Sequence, residues 1–210
     1  MNDVPAIARI EVSCYRIPTD APEADGTFEW TGTTMVLVRT HAAGKCGLGY
    51  SYTAAAAAPI IDDVLRPKLI GQSAFDVTAC WTRMLRSVRN IGRAGLCATA
   101  ISAVDAALWD LKARILDVSL LDLLGAARDS IPVYGSGGFT SYDDERLMDQ
   151  LSGWVESGIG KVKMKIGASP HDDVQRVIAA RRAVGAAQLS RRSRARKGAA
   201  GQDERRSQIR

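Results

Sequence analysis

The sequence predicts an α+β domain, made of a three-stranded antiparallel meander plus helices, followed by the first two β-α units of an incomplete (β/α) barrel. Three observations predict this fold. Segments of alternating apolar and polar residues come first, and a long stretch of helical periodicity follows them. After Gly125, strand and helix patterns alternate, which is typical of a parallel sheet.

The meander is predicted from three segments in which apolar side chains alternate with polar ones. The first is Ile7–Ile17, and the other two are Thr34–Thr40 and Cys46–Tyr52, joined by a short turn that contains glycine. Between the first and second strands lies "IPTDAPEADGTFEW". Because this segment is rich in proline, aspartate and glycine, we expect a loop of more than ten residues there.

Helices are predicted after the meander. One covers Ala57–Ile70, and another begins after Ser73, whose hydroxyl can cap its first turn. The segment "GLCATAISAVDAALWDLKARIL" is apolar over most of its helical circumference, so we expect it at the centre of the first domain. Its pattern is formed by Leu96, Ala100, Ala103, Val104, Ala107, Leu108, Leu111 and Ile115.

Two β-α units are predicted next. Ile131–Phe139 forms a strand that ends in a glycine-rich turn, and an amphipathic helix capped by Ser141 follows. "KVKMKIG" forms the second strand, and Ser169 caps the second helix. The glycine-rich turn lacks the G-x-G-x-x-G spacing of a dinucleotide site, so we expect its glycines to allow close backbone approach.

The C-terminal segment differs in composition from the rest. Beyond Leu189 no apolar periodicity and no third strand are recognisable, so we expect a disordered tail. The formal net charge of the chain is +5, but Ser190–Arg210 alone carries +6, so the remainder is close to neutral. We favour the hypothesis that this tail is translated out of frame. The alternative is a basic tail that binds nucleic acid or an acidic partner, although it lacks interleaved aromatic residues.

The cysteine pattern and the N-terminus indicate an intracellular protein. Cys14, Cys46, Cys80 and Cys97 form no C-x-x-C pair, which favours reduced and mostly buried thiols. The N-terminus lacks the basic and apolar regions of a signal peptide, and no apolar run approaches the roughly 18 residues of a membrane span. We therefore expect a cytoplasmic protein without a membrane partner.

Alternating lysines form the most informative short motif. Successive side chains on a strand face opposite sides, so we expect three lysines on one face of this strand and three apolar residues on the other. These are Lys161, Lys163 and Lys165 on one face, and Val162, Met164 and Ile166 on the other. An antiparallel strand with one solvated face would also explain the pattern. The β-α-β-α context favours a parallel strand, and chemistry in barrels takes place at the carboxyl ends of such strands. Two close ammonium groups favour deprotonation of one of them, which can then act as a base while the other offsets a carboxylate charge.

Three segments resemble one known family. "AISAVDAALWDLKARILDVSLLDLLGA" (Ala100–Ala126) resembles the long helix and following turn of the mandelate racemase/muconate-lactonising branch of the enolase superfamily. "IPVYGSGG" is similar to the start of the barrel in that family, and "KVKMKIG" is similar to its K-x-K motif. The resemblance covers roughly residues 5–188. It implies an N-terminal cap domain over 1–127, the start of a barrel over 128–188, and an unrelated tail over 189–210.

The resemblance also implies a function. Lys165 would take a proton from the carbon next to a substrate carboxylate, while Lys163 and Ser136 would contact that carboxylate. Loops near Asp20–Trp30 and Gly49–Thr53 would close over a small carboxylate or acid-sugar substrate. In the intact family Mg²⁺ stabilises the enediolate. Racemisation, acid-sugar dehydration and cycloisomerisation all remain open as outcomes.

The chain departs from the family where metal ligands are expected. The third barrel strand of the family should carry an aspartate that binds Mg²⁺, but Leu189 is followed here by "SRRSRARKG". We therefore predict no metal ligand in this chain, no catalysis by the chain alone, and poor stability of residues 131–188 alone. One rival hypothesis is a non-enzymatic binding module, in which the cap domain forms a homo-oligomer or associates with an intact homologue. The basic-tail nucleic-acid binder is the other.

Overall fold

The computed structural model describes residues 4–193, which divide into two compact units. The first unit comprises Met1–Thr19 and Gly32–Ser130, and the second comprises Asp20–Thr31 and Ile131–Arg210. The second unit thus includes a segment that the sequence placed in the first domain. The predicted boundaries at residues 127 and 188 stay predictions.

Six strands and seven α-helices are assigned in the described part of the chain. The first sheet is antiparallel between its second and third strands and has the order β1-β2-β3. It is followed by a helical segment whose middle, Ile60–Leu65, is a π-helix. The second sheet is parallel and has the order β4-β5-β6. The elements are β1 (Arg9–Ala24), β2 (Glu29–Ala42), β3 (Lys45–Tyr52), α1 (Ala57–Pro59), α2 (Arg66–Leu69), α3 (Val77–Ser87), α4 (Leu96–Leu116), α5 (Leu120–Leu124), β4 (Gly135–Ser136), α6 (Asp144–Glu156), β5 (Lys161–Ile166), α7 (Pro170–Val184) and β6 (Gln188–Ser193).

The long loop predicted over Asp20–Trp30 is wrong. Strands β1 and β2 continue through this segment and meet at a short turn. Asp25 Oδ1 accepts hydrogen bonds from the backbone N–H of Thr27 at 2.8 Å and of Phe28 at 3.1 Å, which fixes the turn. The prolines that suggested a loop lie on β1, an edge strand, where a missing N–H donor is tolerated.

A two-residue turn joins β2 to β3. Ala42 pairs with Lys45, and Ala43 and Gly44 between them have φ of 48° and 70°. Positive φ at both central residues is the geometry that a tight hairpin requires. His41 therefore lies within β2.

Helix α4 is the centre of the first unit, as predicted. Its buried face packs against β3, where two glycines allow the backbones to come close. A Cβ atom added at Gly47 would lie 2.3 Å from the carbonyl oxygen of Ala107. The buried Thr40 hydroxyl donates a 3.0 Å hydrogen bond to the same carbonyl. Small residues on both elements thus bring helix and sheet together.

The second unit has its own apolar core, formed where α6 and α7 cover one face of β5. It comprises Leu147, Leu151, Val162, Met164, Ala180 and Val184. Ser169 caps α7, as predicted, since its hydroxyl oxygen accepts a hydrogen bond from Asp172 N. The predicted Ser141 cap of α6 is wrong. Asp143 caps this helix instead, and its carboxylate accepts a 2.8 Å bond from Arg146 N.

A third parallel strand is present, contrary to the sequence-based prediction. Strand β6 pairs with β5 over its whole length, from Lys161 opposite Gln188 to Ile166 opposite Ser193. The prediction of a tail is therefore wrong for Leu189–Ser193, because backbone groups at the open edge of β5 pair regardless of side-chain pattern. Residues 194–210, the rest of the predicted tail, lie outside the described part of the chain.

The helices of residues 4–193 are too short or too polar for a bilayer. None of them is long and apolar enough to cross a membrane.

Candidate active site

Three residues that the sequence singled out share one face of the second sheet. Ser136 and Lys163 are directly paired in the parallel register of β4 and β5. Side chains of paired residues lie on the same face, and Lys165 lies two residues farther along β5 on that face. Two residues along a strand correspond to about 7 Å. The structure therefore brings Ser136, Lys163 and Lys165 together. Their catalytic and binding roles stay predictions.

The opposite face of β5 explains why the lysines face as they do. Val162 and Met164 are 1% and 0% exposed, and both pack in the core beneath α6 and α7. Burial of these apolar side chains fixes the pleat, because a one-residue slip would move the lysines into the core. Lys163 and Lys165 are consequently held on the other face, each half-buried.

The glycine-rich segment after β4 continues the pairing toward the carboxyl end of β5. The N–H of Gly137 donates to the carbonyl of Lys163 at 3.2 Å. The N–H of Lys165 donates to the carbonyl of Gly138 at 2.9 Å. These two bonds fix the backbone of both lysines to the segment that carries Ser136.

Close packing explains why this segment contains so many glycines. A Cβ atom at Gly135 would lie 2.3 Å from the Trp154 ring, and one at Gly137 would lie 2.3 Å from Gln150 Oε1. The N–H of Gly138 donates to the same Gln150 oxygen at 2.8 Å. The expectation that these glycines serve close backbone approach is confirmed.

Tyr134 is a neighbour of the site that the sequence analysis did not identify. Its ring centroid lies 4.9 Å from Lys163 Nζ, and its hydroxyl lies 3.5 Å from the same atom. An ammonium group over an aromatic face gains about 0.5–1 kcal/mol at an exposed site. The alternation of side chains could have identified Tyr134, since it precedes Ser136 by two residues and thus faces the same side.

The tip of the β1–β2 hairpin meets the end of β5. A Cβ atom at Gly26 would lie 2.9 Å from the carbonyl carbon of Gly167, the residue that follows β5. The neighbouring Asp25 carboxyl has a lowered pKa, mainly because of the Thr27 backbone N–H and then the Thr27 hydroxyl, with a smaller contribution from the charge of Lys165. The segment predicted as a substrate-closing loop is therefore the tip of a β-hairpin.

An open cleft of about 620 Å³ lies at this junction. Its lining is mostly polar and combines the hairpin tip with the residues that follow β4 and β5. These are residues 24–29, Thr140, Ser141, Gly167 and Ala168. Hydroxyl, carboxylate and backbone groups of this kind suit a ligand rich in hydroxyl groups.

The second predicted loop, Gly49–Thr53, is strand rather than loop over most of its length. Gly49 to Tyr52 belong to β3 in the first unit. The Ser51 hydroxyl donates a 2.7 Å hydrogen bond to the Thr99 carbonyl of α4. The role assigned to this segment by resemblance stays a prediction.

The described residues do not fit a Mg²⁺ ion, which prefers oxygen ligands from carboxylates. No group of three or more His, Cys, Asp or Glu residues that could hold a metal occurs within residues 4–193. On β6, the register positions beside Lys163 and Lys165 are occupied by Ser190 and Arg192. The absence of metal ligands from the whole chain stays a prediction.

Comparison with known proteins relates this geometry to an enzyme family. The sequence profile described as mandelate racemase / muconate lactonizing enzyme, N-terminal domain, matches residues 14–125. A 3,6-anhydro-alpha-L-galactonate cycloisomerase from Streptomyces coelicolor is 34% identical over 186 residues, which are 85% of this chain and 52% of that protein. The chain thus spans about half the length of this relative.

Solved structures give the same result. A mandelate racemase/muconate lactonizing enzyme-like protein from Rubrobacter xylanophilus is 48% identical with a TM-score of 0.87, over 89% of this chain and 52% of that one. An L-talarate/galactarate dehydratase from Salmonella typhimurium, solved with Mg and L-lyxarohydroxamate, is 28% identical with a TM-score of 0.79, over 90% and 52%. The chain therefore belongs to the mandelate racemase/muconate lactonizing enzyme family of the enolase superfamily.

Proposed function

We propose that this chain carries the proton-abstracting and carboxylate-binding part of an enzyme that acts on acid sugars. Lys165 is the base that removes the proton from the carbon next to the substrate carboxylate. Lys163 and Ser136 hold that carboxylate. The observation that carries the proposal is the register of β4 and β5, which places all three residues on one face at the carboxyl ends of parallel strands.

The arrangement suits the charges of the reaction. A substrate carboxylate beside Lys163 would be partly neutralised, and this makes loss of the neighbouring proton less costly. The face of the Tyr134 ring contacts the Lys163 ammonium group. Lys165 then faces the substrate carbon next to the carboxylate, because it lies two residues closer than Lys163 to the carboxyl end of β5.

The substrate class rests mainly on the relatives, because the cleft at the hairpin tip is lined by none of Ser136, Lys163 and Lys165. A cleft lined by hydroxyl groups and by the Asp25 turn suits the hydroxylated chain of an acid sugar. The names of the cycloisomerase and the dehydratase refer to sugar acids of this kind. Whether proton abstraction leads to racemisation, dehydration or cycloisomerisation depends on groups other than the three assigned here.

Mg²⁺ is bound in the dehydratase structure, but the described residues of this chain do not fit it. We therefore assign no step to a metal. Residues 4–193 supply cationic and hydroxyl groups around the base, and they supply no cluster of acids. For this reason we propose that the 210-residue chain binds an acid sugar without turning it over.

A chimera tests the role of Lys165. Residues 1–193 are joined to the C-terminal half of the Streptomyces coelicolor cycloisomerase, and incorporation of solvent deuterium at the substrate α-carbon is followed by NMR. Lys165→Met should lower the exchange rate by about 100-fold or more, as expected for loss of a general base. Lys161→Met is the matched control, since Lys161 shares the face but is exposed at the other end of β5. A folded Lys165→Met chimera that exchanges as fast as the Lys161→Met control would contradict the assignment.

Carboxylate binding is tested on the 210-residue chain itself. Galactarate is titrated into the protein and into its Lys163→Met and Lys161→Met variants, and binding is followed by calorimetry. The first variant should bind more weakly than the second. Equal affinities would show that Lys163 does not hold the carboxylate.

A further inference from the structure

We propose that Arg176 of α7 is a positioning residue for the site. It fixes the loop between β4 and α6, and this loop in turn holds the β1–β2 hairpin tip beside the end of β5. The functional meaning rests on the proposed role of Lys165. The structural claim can be tested without any turnover.

Arg176 is a buried cation whose partners are backbone carbonyls. The residue is 9% exposed. Its guanidinium donates through Nη1 to the carbonyl of Tyr142 and through Nη2 to the carbonyl of Phe139 at 2.8 Å. No carboxylate lies within ion-pair distance of it in residues 4–193. A planar fork that spans two carbonyls constrains the loop between them, which a single ammonium group cannot do.

The two loop residues bracketed by these carbonyls are the ones that bind the hairpin. Thr140 donates through its N–H to the carbonyl of Ala24 at 2.9 Å, and through its hydroxyl to the carbonyl of Asp25 at 3.2 Å. The Ser141 hydroxyl donates to the carbonyl of Pro22 at 2.6 Å. Arg176 therefore fixes the segment that supplies all three of these bonds.

Aromatic packing couples the same segments. The ring of Trp30, on the returning arm of the hairpin, meets the ring of Phe139 edge-on at 5.4 Å. Phe139 meets Tyr142 in the same way at 5.5 Å. Arg146 lies 4.5 Å above the Tyr142 ring and forms a 2.8 Å ion pair with Asp20 on the hairpin. Displacement of either carbonyl that Arg176 holds would move a ring that contacts the hairpin directly or through Arg146.

The consequence for the site is positional. Gly26 at the hairpin tip contacts Gly167, and the charge of Lys165 acts on the neighbouring Asp25 carboxyl. Arg176 itself contacts neither lysine through any of its assigned bonds. It acts on the site through the loop and the hairpin.

The test uses the full chain labelled with 5-fluorotryptophan and ¹⁹F NMR. The chain has four tryptophans, and the Trp30 resonance is assigned by its loss in Trp30→Phe. In Arg176→Lys, which keeps the charge but loses the fork, the dispersed Trp30 resonance should shift to the position of a solvent-exposed indole. The resonances of Trp81 and Trp109 should stay unchanged. Arg182→Lys is the matched control, because Arg182 is exposed on the same helix.

Two outcomes would overturn the proposal. One is an unchanged Trp30 resonance in Arg176→Lys. The other is simultaneous collapse of the Trp30 and Trp154 resonances, which would show a general role in stability. Ser141→Ala provides a second and milder perturbation, since it removes one loop-to-hairpin bond. It should shift the Trp30 resonance in the same direction by a smaller amount, and no shift would mean that the loop does not hold the hairpin.

Discussion

Replacement of Gly49 by alanine should lower the free energy of unfolding of the first unit by more than the backbone cost of replacing a glycine. A Cβ atom at this position would lie 2.2 Å from the Ala103 carbonyl oxygen and 2.4 Å from the Ala107 nitrogen. Both are backbone atoms of α4 and cannot rotate away. Since ordinary contacts begin near 3.4 Å, helix and strand must separate by about 1 Å. Overpacking of this kind costs about 1–3 kcal/mol.

The same separation would weaken hydrogen bonds between the two elements. Ser51 Oγ donates to the Thr99 carbonyl at 2.7 Å, and Leu48 N donates to Asp110 Oδ2 at 2.8 Å. Each such bond contributes about 1 kcal/mol. The total expected loss in the free energy of unfolding for Gly49→Ala is therefore about 3–5 kcal/mol.

Urea unfolding of the full chain measures this loss, with tryptophan fluorescence as the reporter. Gly44→Ala is the control, because Gly44 has φ of +70° and no atom within 4 Å of an added Cβ. Its cost is that of a left-handed backbone alone, about 1–2 kcal/mol. If Gly49→Ala costs no more than Gly44→Ala, the close approach of β3 to α4 is not a stabilising feature of this fold.

Two further predictions concern titratable groups of the first unit. Burial raises the pKa of the Asp105 carboxyl, so the folded state binds more protons than the unfolded state from about pH 4 upward, and stability falls as the pH rises through this window. Asp105→Asn should flatten that pH dependence and raise the urea midpoint at pH 7, and a lowered midpoint would contradict this reasoning. Burial also raises the pKa of the Cys80 thiol, whereas Cys14 is exposed. A disulfide reagent added to the native protein should therefore modify Cys14 first, and Cys14→Ser should abolish the fast phase; persistence of that phase would refute the prediction.

Sequence reasoning succeeded where periodicity and burial act together. The pattern of α4 predicted a central helix, and Ala100, Val104, Leu108 and Leu111 on its buried face are each 0% exposed. Sequence reasoning failed at the β1–β2 hairpin, because proline and aspartate indicate a loop in a sequence pattern even where the segment pairs as an edge strand. The hairpin is extended because β1 is an edge strand and the Asp25 turn closes it, and neither fact is local to the sequence.

The candidate site shows the same division. Alternation on β5 predicted that Lys163 and Lys165 share a face, and the register with Ser136 places all three on it. Tyr134 was within reach of the same argument. Alternation could not identify Asp25. This residue lies near the end of β5 because the hairpin tip contacts Thr140 and Gly167, which are far from it in the sequence. The alternation of side chains thus identifies the site residues of a single strand, while tertiary contacts determine which residues distant in sequence lie beside them.

Strand β6 is the third strand of the parallel sheet whose other two strands carry the candidate site. Its sequence has no apolar alternation, yet it pairs with β5 in a regular parallel register. That register pairs Ser190 with Lys163 and Arg192 with Lys165. Ser136 of β4 and the lysines Lys163 and Lys165 of β5 place one hydroxyl and two cationic side chains on one face, a combination that favours an anion over a divalent cation. This combination supports the proposal that Lys163 and Ser136 bind a carboxylate and that Lys165 abstracts a proton, and we expect any Mg²⁺ used in that reaction to be held outside β4 and β5.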